Sequence, residues 1–196
     1  PPRSTLFPYT TLFRSRATLE GEKNSALSLA VAIASNQGLV SALEDRNEDA
    51  GFEILSPLVA NINTLGSDKL LAQIIADDLT VFTRSWDNSF TGMPLDLYRE
   101  DLRKIVETKQ QKAKVSIEVG RMLSLIATAP IRKNRKVIGY LEIIVLFDGL
   151  VRKFREIGAE LIVLMDQKML DKAVLMKQNP TVDEFVITNN NYNEKL

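Results

Sequence analysis

The chain has 196 residues, 45% hydrophobic and 26% charged, and its 25 basic and 25 acidic side chains cancel. That composition fits an ordinary globular protein and argues against a nucleic-acid binder working by bulk charge. With no His and no Cys, Ser-His-Asp and Cys-His catalysis, His or Cys metal sites, disulfides and thiol redox chemistry are excluded.

The chain opens with "TLFPYTTLFRS", Thr5 to Ser15. This run resembles, without a break, one reading frame of a common sequencing adapter. Residues 1–15 are therefore set aside as a non-native segment, and what precedes Arg16 in the parent protein is left unread. From Thr18 to about Leu43 the pattern is helical. Leu19, Ala26, Ile33 and Val40 recur every seven residues, and Gly38 is the expected kink or break. Such a stripe serves either as the face that lies on the helix's own domain or as a homodimer seam, and both uses fit one helix.

"EDRNEDAG" is a polar break. Ser56-Pro57 then reads as a cap followed by proline at the first position of a second helix. Leu58, Val59, Ile62 and Leu65 form its apolar face, and Gly66 stops it. "KLLAQIIADDLTVFTRSW" reads as two strands around a turn at Asp77-Asp78. A helix is expected from Pro94 through "LDLYREDLRKIVETKQ". "KVSIEVGRMLSLIATAPI" reads as one long strand, "RKNRK" as its turn and "VIGYLEIIVLF" as the return strand. Asp148 is placed to cap a helix that Gly158 ends. "ELIVLMD" reads as another strand, Lys168 to Lys177 as a short helix and Glu184 to Thr188 as a last strand. No apolar run approaches the ~20 residues of a membrane-spanning helix. The order gives an α+β fold: an antiparallel sheet with a long N-terminal helix and flanking helices.

Several of these stretches carry a family resemblance. "ALSLAVAIASNQGLVSAL" resembles the membrane-emergent helix of bacterial Cache sensor domains. "RSW", "LYREDLRKI", "IEVGR" and "API…GYLEI", in that order and spacing, are similar to the PAS-like ligand-binding module of the double-Cache type. The resemblance runs from about Ala17 to Leu150. It implies residues 16–66 as an N-terminal helical segment, 67–157 as the PAS-like Cache module and 158–196 as the start of a second, truncated module. It also implies an extracytoplasmic, periplasmic sensor of an inner-membrane receptor. The output would be a chemotaxis region, a histidine kinase or a diguanylate cyclase. The chain departs from the common amino-acid-binding pattern, because Ser85 separates Arg84 from Trp86.

Strand alternation sorts the candidate ligand-binding residues. On "TVFTRSW" a period of two puts Phe82, Arg84 and Trp86 on one face. On "VSIEVGRML" it puts Arg121 with Val115, Ile117, Val119 and Leu123. A buried cation costs several kcal/mol unless paired, so each Arg needs an anion: a protein carboxylate such as Glu118 or Glu142, or the carboxylate of a ligand. The expected site is Arg84, Trp86, Tyr98, Arg99, Glu118, Arg121 and Tyr140, with no catalytic residue, no metal and no cofactor. The competing reading of Arg84 and Arg121 is a structural salt bridge at the sheet edge. For Arg99 it is an ion pair with Asp96 on a solvated helix face.

The function expected is a non-enzymatic sensor. It binds a small, carboxylate-bearing molecule and passes a helix displacement to a cytoplasmic output. The alternative is a cytoplasmic PAS-like interaction module without a ligand, and an enzyme is the reading with least behind it.

Overall fold

The helical stripe near the N-terminus is realised as two helices, α1 (Phe7–Ala34) and α2 (Gln37–Glu44). The structure, a computed structural model, describes residues 7–66, 69–95, 99–108 and 112–189. The helix breaks at Asn36 rather than Gly38. The Asn36 side chain accepts the Leu39 amide at 3.1 Å and starts a new helix, bent 63° from the first. Ala26, Ile33 and Val40 of the seven-residue repeat are buried, so that stripe faces the chain's own core.

The helix α3 (Glu48–Leu65) starts well before Ser56-Pro57. Asn47 caps it through the Ala50 amide at 3.0 Å, and Glu48 and Asp49 in the first turn suit the helix dipole. The expected cap at Ser56 is thus pre-empted, and Pro57 lies inside the helix. Its ring is exposed, where the Glu53 carbonyl that loses its donor can turn to water. Gly66 ends the helix, as expected.

Five strands make the main sheet: β1 (Leu70–Ala76), β2 (Val81–Arg84), β3 (Lys114–Val119), β4 (Leu123–Lys133) and β5 (Lys136–Val145). Their order is β2-β1-β5-β4-β3, and every pairing is antiparallel. The expected single strand from Lys114 onward is a hairpin. Gly120 to Met122 turn the chain, and Val119 pairs with Leu123. Folding back lets β3 pair with the buried strand β4, which an unbroken strand could not do. Asn134 and Arg135, with φ of 49° and 67°, form the tight turn between β4 and β5.

One face of this sheet carries Ala72, Ile74, Ala127, Ala129, Leu141 and Ile143 against α1, α2 and α3. The approach is close. A side chain at Gly139 would put its Cβ 2.6 Å from the Ile75 carbonyl oxygen and 2.7 Å from Leu43. Among the described residues no single helix is long and apolar enough to cross a membrane.

On the other face, Pro94 bridges Thr80 as an isolated β-pair instead of opening a helix. The helix α4 covers only Glu100–Glu107. The helix α5 (Phe147–Glu156) has Leu146 at its cap position, so Asp148 sits in the first turn and is not the cap. Gly158 follows its end with φ +76°. Strands β6 (Leu164–Asp166), β7 (Thr181–Val182) and β8 (Phe185–Ile187) form a second sheet in the order β6-β8-β7. The helix expected over 168–177 is two single 3₁₀ turns, Gln167–Met169 and Val174–Met176. Ala173 and Met176, three apart, both turn inward, which one tight turn achieves. They pack with Met165, Val186, Leu123 and Phe147.

Candidate ligand-binding site

Register builds the site. Arg84 pairs with Gln73, Gln73 with Glu142 and Glu142 with Thr128, so four polar residues form one row across the outer face of the main sheet. Phe82 does not join them. The β1–β2 pairing shifts between Ile74 and Ile75. This bulge turns Phe82 inward against Gly51 of α3. The expected alternation of Phe82 with Arg84 fails at that extra residue. Arg84 still stands between two rings: its guanidinium lies 5.6 Å from the Trp86 ring centre and 5.4 Å from that of Phe90.

Glu142 is fully buried. A lone carboxylate there would cost several kcal/mol, but its oxygens are filled. Arg99 donates through Nη2 at 2.6 Å and Nη1 at 3.2 Å, Gln73 through Nε2 at 2.7 Å and Thr128 through its hydroxyl at 3.4 Å. Arg99 also donates to Asp101 at 2.8 and 2.9 Å. Burial works against the Arg99 cation, yet the Glu142 charge and the bonds to both carboxylates hold its pKa above the ordinary value. Burial likewise pushes Asp101 up, and Arg99's hydrogen bond and charge outweigh it, leaving Asp101 below the usual carboxylate range. The remaining acceptor, Gln73 Oε1, takes the Arg84 Nε proton at 3.2 Å.

Beside this row lies a cavity of about 260 Å³. Leu71, Ile126 and Ile144 are its apolar floor; Gln73, Arg84 and Arg99 line one end. Trp86, Met93 and Leu95 also line it, as do Arg121 and Met122 of the β3–β4 turn and Leu175, whose amide bonds to the Arg121 carbonyl. Three guanidinium groups line this cavity, and among the described residues no carboxylate does.

The expected residues separate on this map. Arg84, Trp86, Arg99 and Arg121 line the cavity. Arg99 is 5% exposed and belongs to the buried network, so the solvated helix face is wrong for it. Arg121 is exposed in the β3–β4 turn, because the strand that would have buried it is interrupted there. Glu118 lines a different, more open cavity of about 460 Å³ beside α4. Tyr140 is buried among Ile75, Val81, Leu95 and Leu102 and does not line the site. Burial first, then the Asp77 charge, raises its phenol pKa. Tyr98, with Asp96, lies outside the described residues. Sequence reasoning missed Gln73, Phe90 and Leu175. Gln73 had a readable signal, being the lone polar residue in "LLAQIIA".

A family described as "double sensory domain of two-component sensor kinase" matches residues 9–194. No curated protein matches the chain. Among solved structures, the sensor domain of the V. cholerae histidine kinase DctB aligns with TM-score 0.60 at 14% identity, covering 75% of this chain and 57% of that one. The E. coli DcuS sensor domain aligns with TM-score 0.55 at 18% identity, covering 72% and 98%. The Vibrio cholerae LuxQ periplasmic domain aligns with TM-score 0.54 at 18% identity, covering 80% and 73%. The chain thus spans just over half of the DctB structure and most of the other two, and these likenesses establish the PAS-like α+β fold.

Proposed function

Because the chain belongs to the Cache family of double sensory domains of two-component sensor kinases, a sensory and not a catalytic family, we propose that its cavity is the receptor site for a small organic anion. The observation that carries this reading is the lining: Arg84, Arg99 and Arg121 stand around an apolar floor with no carboxylate among the described lining residues. Since Arg99 is already paired with Glu142 and Asp101, Arg84 and Arg121 are the cations an incoming anion would meet. Arg forks pair carboxylate oxygens bidentately, and an apolar floor favours a carbon skeleton. The volume lies below the usual range for drug-sized ligands, which limits the length of the carbon skeleton the site takes.

The signal route follows from the sheet being two-sided. Ile126 and Ile144 face the cavity, while their neighbours Leu125, Ala127 and Ile143 face the helical side, where α1 lies along β4 and β5. An occupant that favours one packing of the sheet shifts α1 with it. The parent is then an inner-membrane receptor with this segment in the periplasm and a kinase, cyclase or chemotaxis output inside. Residues 1–15 are read as foreign to it; Leu12 and Phe13 there are 69% and 75% exposed. Residues from 158 onward are read as the start of the second module. A homodimer contact along α1 would use its exposed face, with Gly21, Asn24 and Ser28.

A thermal-shift screen of small carboxylates against small amines tests the anion reading. At least one carboxylate should raise the melting temperature and the amines should not. If no carboxylate does, the reading is wrong.

A further inference from the structure

The cavity is not closed by the five-stranded sheet alone. Leu175, from the 3₁₀ turn Val174–Met176, stands on its rim. The turn is held in two ways. Leu175 donates its amide to the Arg121 carbonyl at 3.0 Å, and Ala173 and Met176 on either side of it are buried in the core of the second sheet. Leu175 itself is 52% exposed and contributes little to that core.

Behind Leu175 lies a second, smaller cavity of about 90 Å³, whose lining shares Leu175, Met122 and Leu146 with the larger one. The two voids are thus neighbours with these three residues as their common boundary. Arg84 lies on β2 and the Leu175 turn sits over the β3–β4 hairpin, towards the opposite edge of the sheet. From β2 to β4 is three strand spacings, about 14 Å. The row Leu71, Ile144 and Ile126 crosses the sheet between Arg84 and the Leu175 turn.

We propose that Leu175 is a specificity-determining residue that sets the longest chain the site accepts. This rests on the anion-binding reading of the cavity. Shortening Leu175 opens that boundary and adds the smaller void, room for about three waters, together with the space its own side chain leaves.

The test is calorimetric titration of the whole chain with straight-chain carboxylates from acetate to decanoate, and with the matching 1-alkanols. Wild-type protein, Leu175→Ala and Leu175→Trp are compared. In the wild type, carboxylate affinity should rise about fourfold per added methylene and then fall sharply at a cut-off. Leu175→Ala should move that cut-off longer by about two carbons, consistent with the void it opens, and Leu175→Trp should move it shorter. Because Leu175 is half exposed, both variants should keep the wild-type fold, which circular dichroism checks. A cut-off that stays put in both variants overturns the role of Leu175 and leaves the anion reading standing. Alkanols that shift with the variants while carboxylates do not bind uphold Leu175 and overturn the anion reading. Absence of binding by either series overturns both.

Discussion

Gln73 accepts the Arg84 Nε proton on its carbonyl oxygen at 3.2 Å, while the amide nitrogen of the same side chain donates to Glu142 at 2.7 Å. One planar group therefore joins the cavity wall to the buried ion pair, and the chemistry of both neighbours fixes which way round it sits. The amide offers an acceptor to the guanidinium and a donor to the carboxylate from one rigid plane.

Gln73→Glu removes the donor and sets a second carboxylate against Glu142. It should destabilise the protein by about 1–3 kcal/mol, the usual effect of leaving a buried polar group without its partner. Urea unfolding measures this. A change within about 0.5 kcal/mol, the range of ordinary surface substitutions, would mean that the Gln73 bridge does not hold the row together.

The Arg99–Glu142 pair should behave as a unit. Arg99→Met alone leaves a buried carboxylate unpaired and should cost about 3–5 kcal/mol. Adding Glu142→Leu should recover much of that loss, with a coupling of at least about 0.5 kcal/mol in a double-mutant cycle by chemical denaturation. Strict additivity of the two single changes would contradict the bidentate contact.

Acid should reveal Asp101. Its folded pKa lies below its unfolded value of about 3.9. The stability it contributes is thus present above that value and disappears as pH falls through the lower, folded one. Unfolding free energies between about pH 2 and 6 should fall less steeply towards low pH for Asp101→Asn than for wild type. Parallel curves would show that Asp101 carries no proton-linked stability.

The residues explain why some of the fold was legible and some was not. The strand pair around Asp77-Asp78, the Asn134-Arg135 turn and the stops at Gly66 and Gly158 are local features, and local sequence announced them. The Asn36 and Asn47 caps are equally local, but Gly38 and Pro57 are the stronger breaker signals and point to the wrong positions. The β3–β4 hairpin was hidden because Gly120 sits in an otherwise unbroken alternation, and only pairing across strands decides which way the chain turns there. Of the site, Arg84 and Trp86 could be placed beside each other from spacing alone. Arg99 meeting Glu142 across 43 residues, and Leu175 reaching the cavity from the second sheet, are tertiary facts without a local signature.

Trp86 offers the most direct reading of the central claim. It is the only tryptophan in the chain, it lines the cavity, and it stacks on Arg84. Its fluorescence should change saturably when a small carboxylate such as pentanoate is titrated in, and the change should weaken by about tenfold or more in affinity for Arg84→Ala, the scale of one lost charge-assisted hydrogen bond. A flat emission signal across small carboxylates, or an unaltered titration in a folded Arg84→Ala protein, would contradict the claim that this cavity receives an anion.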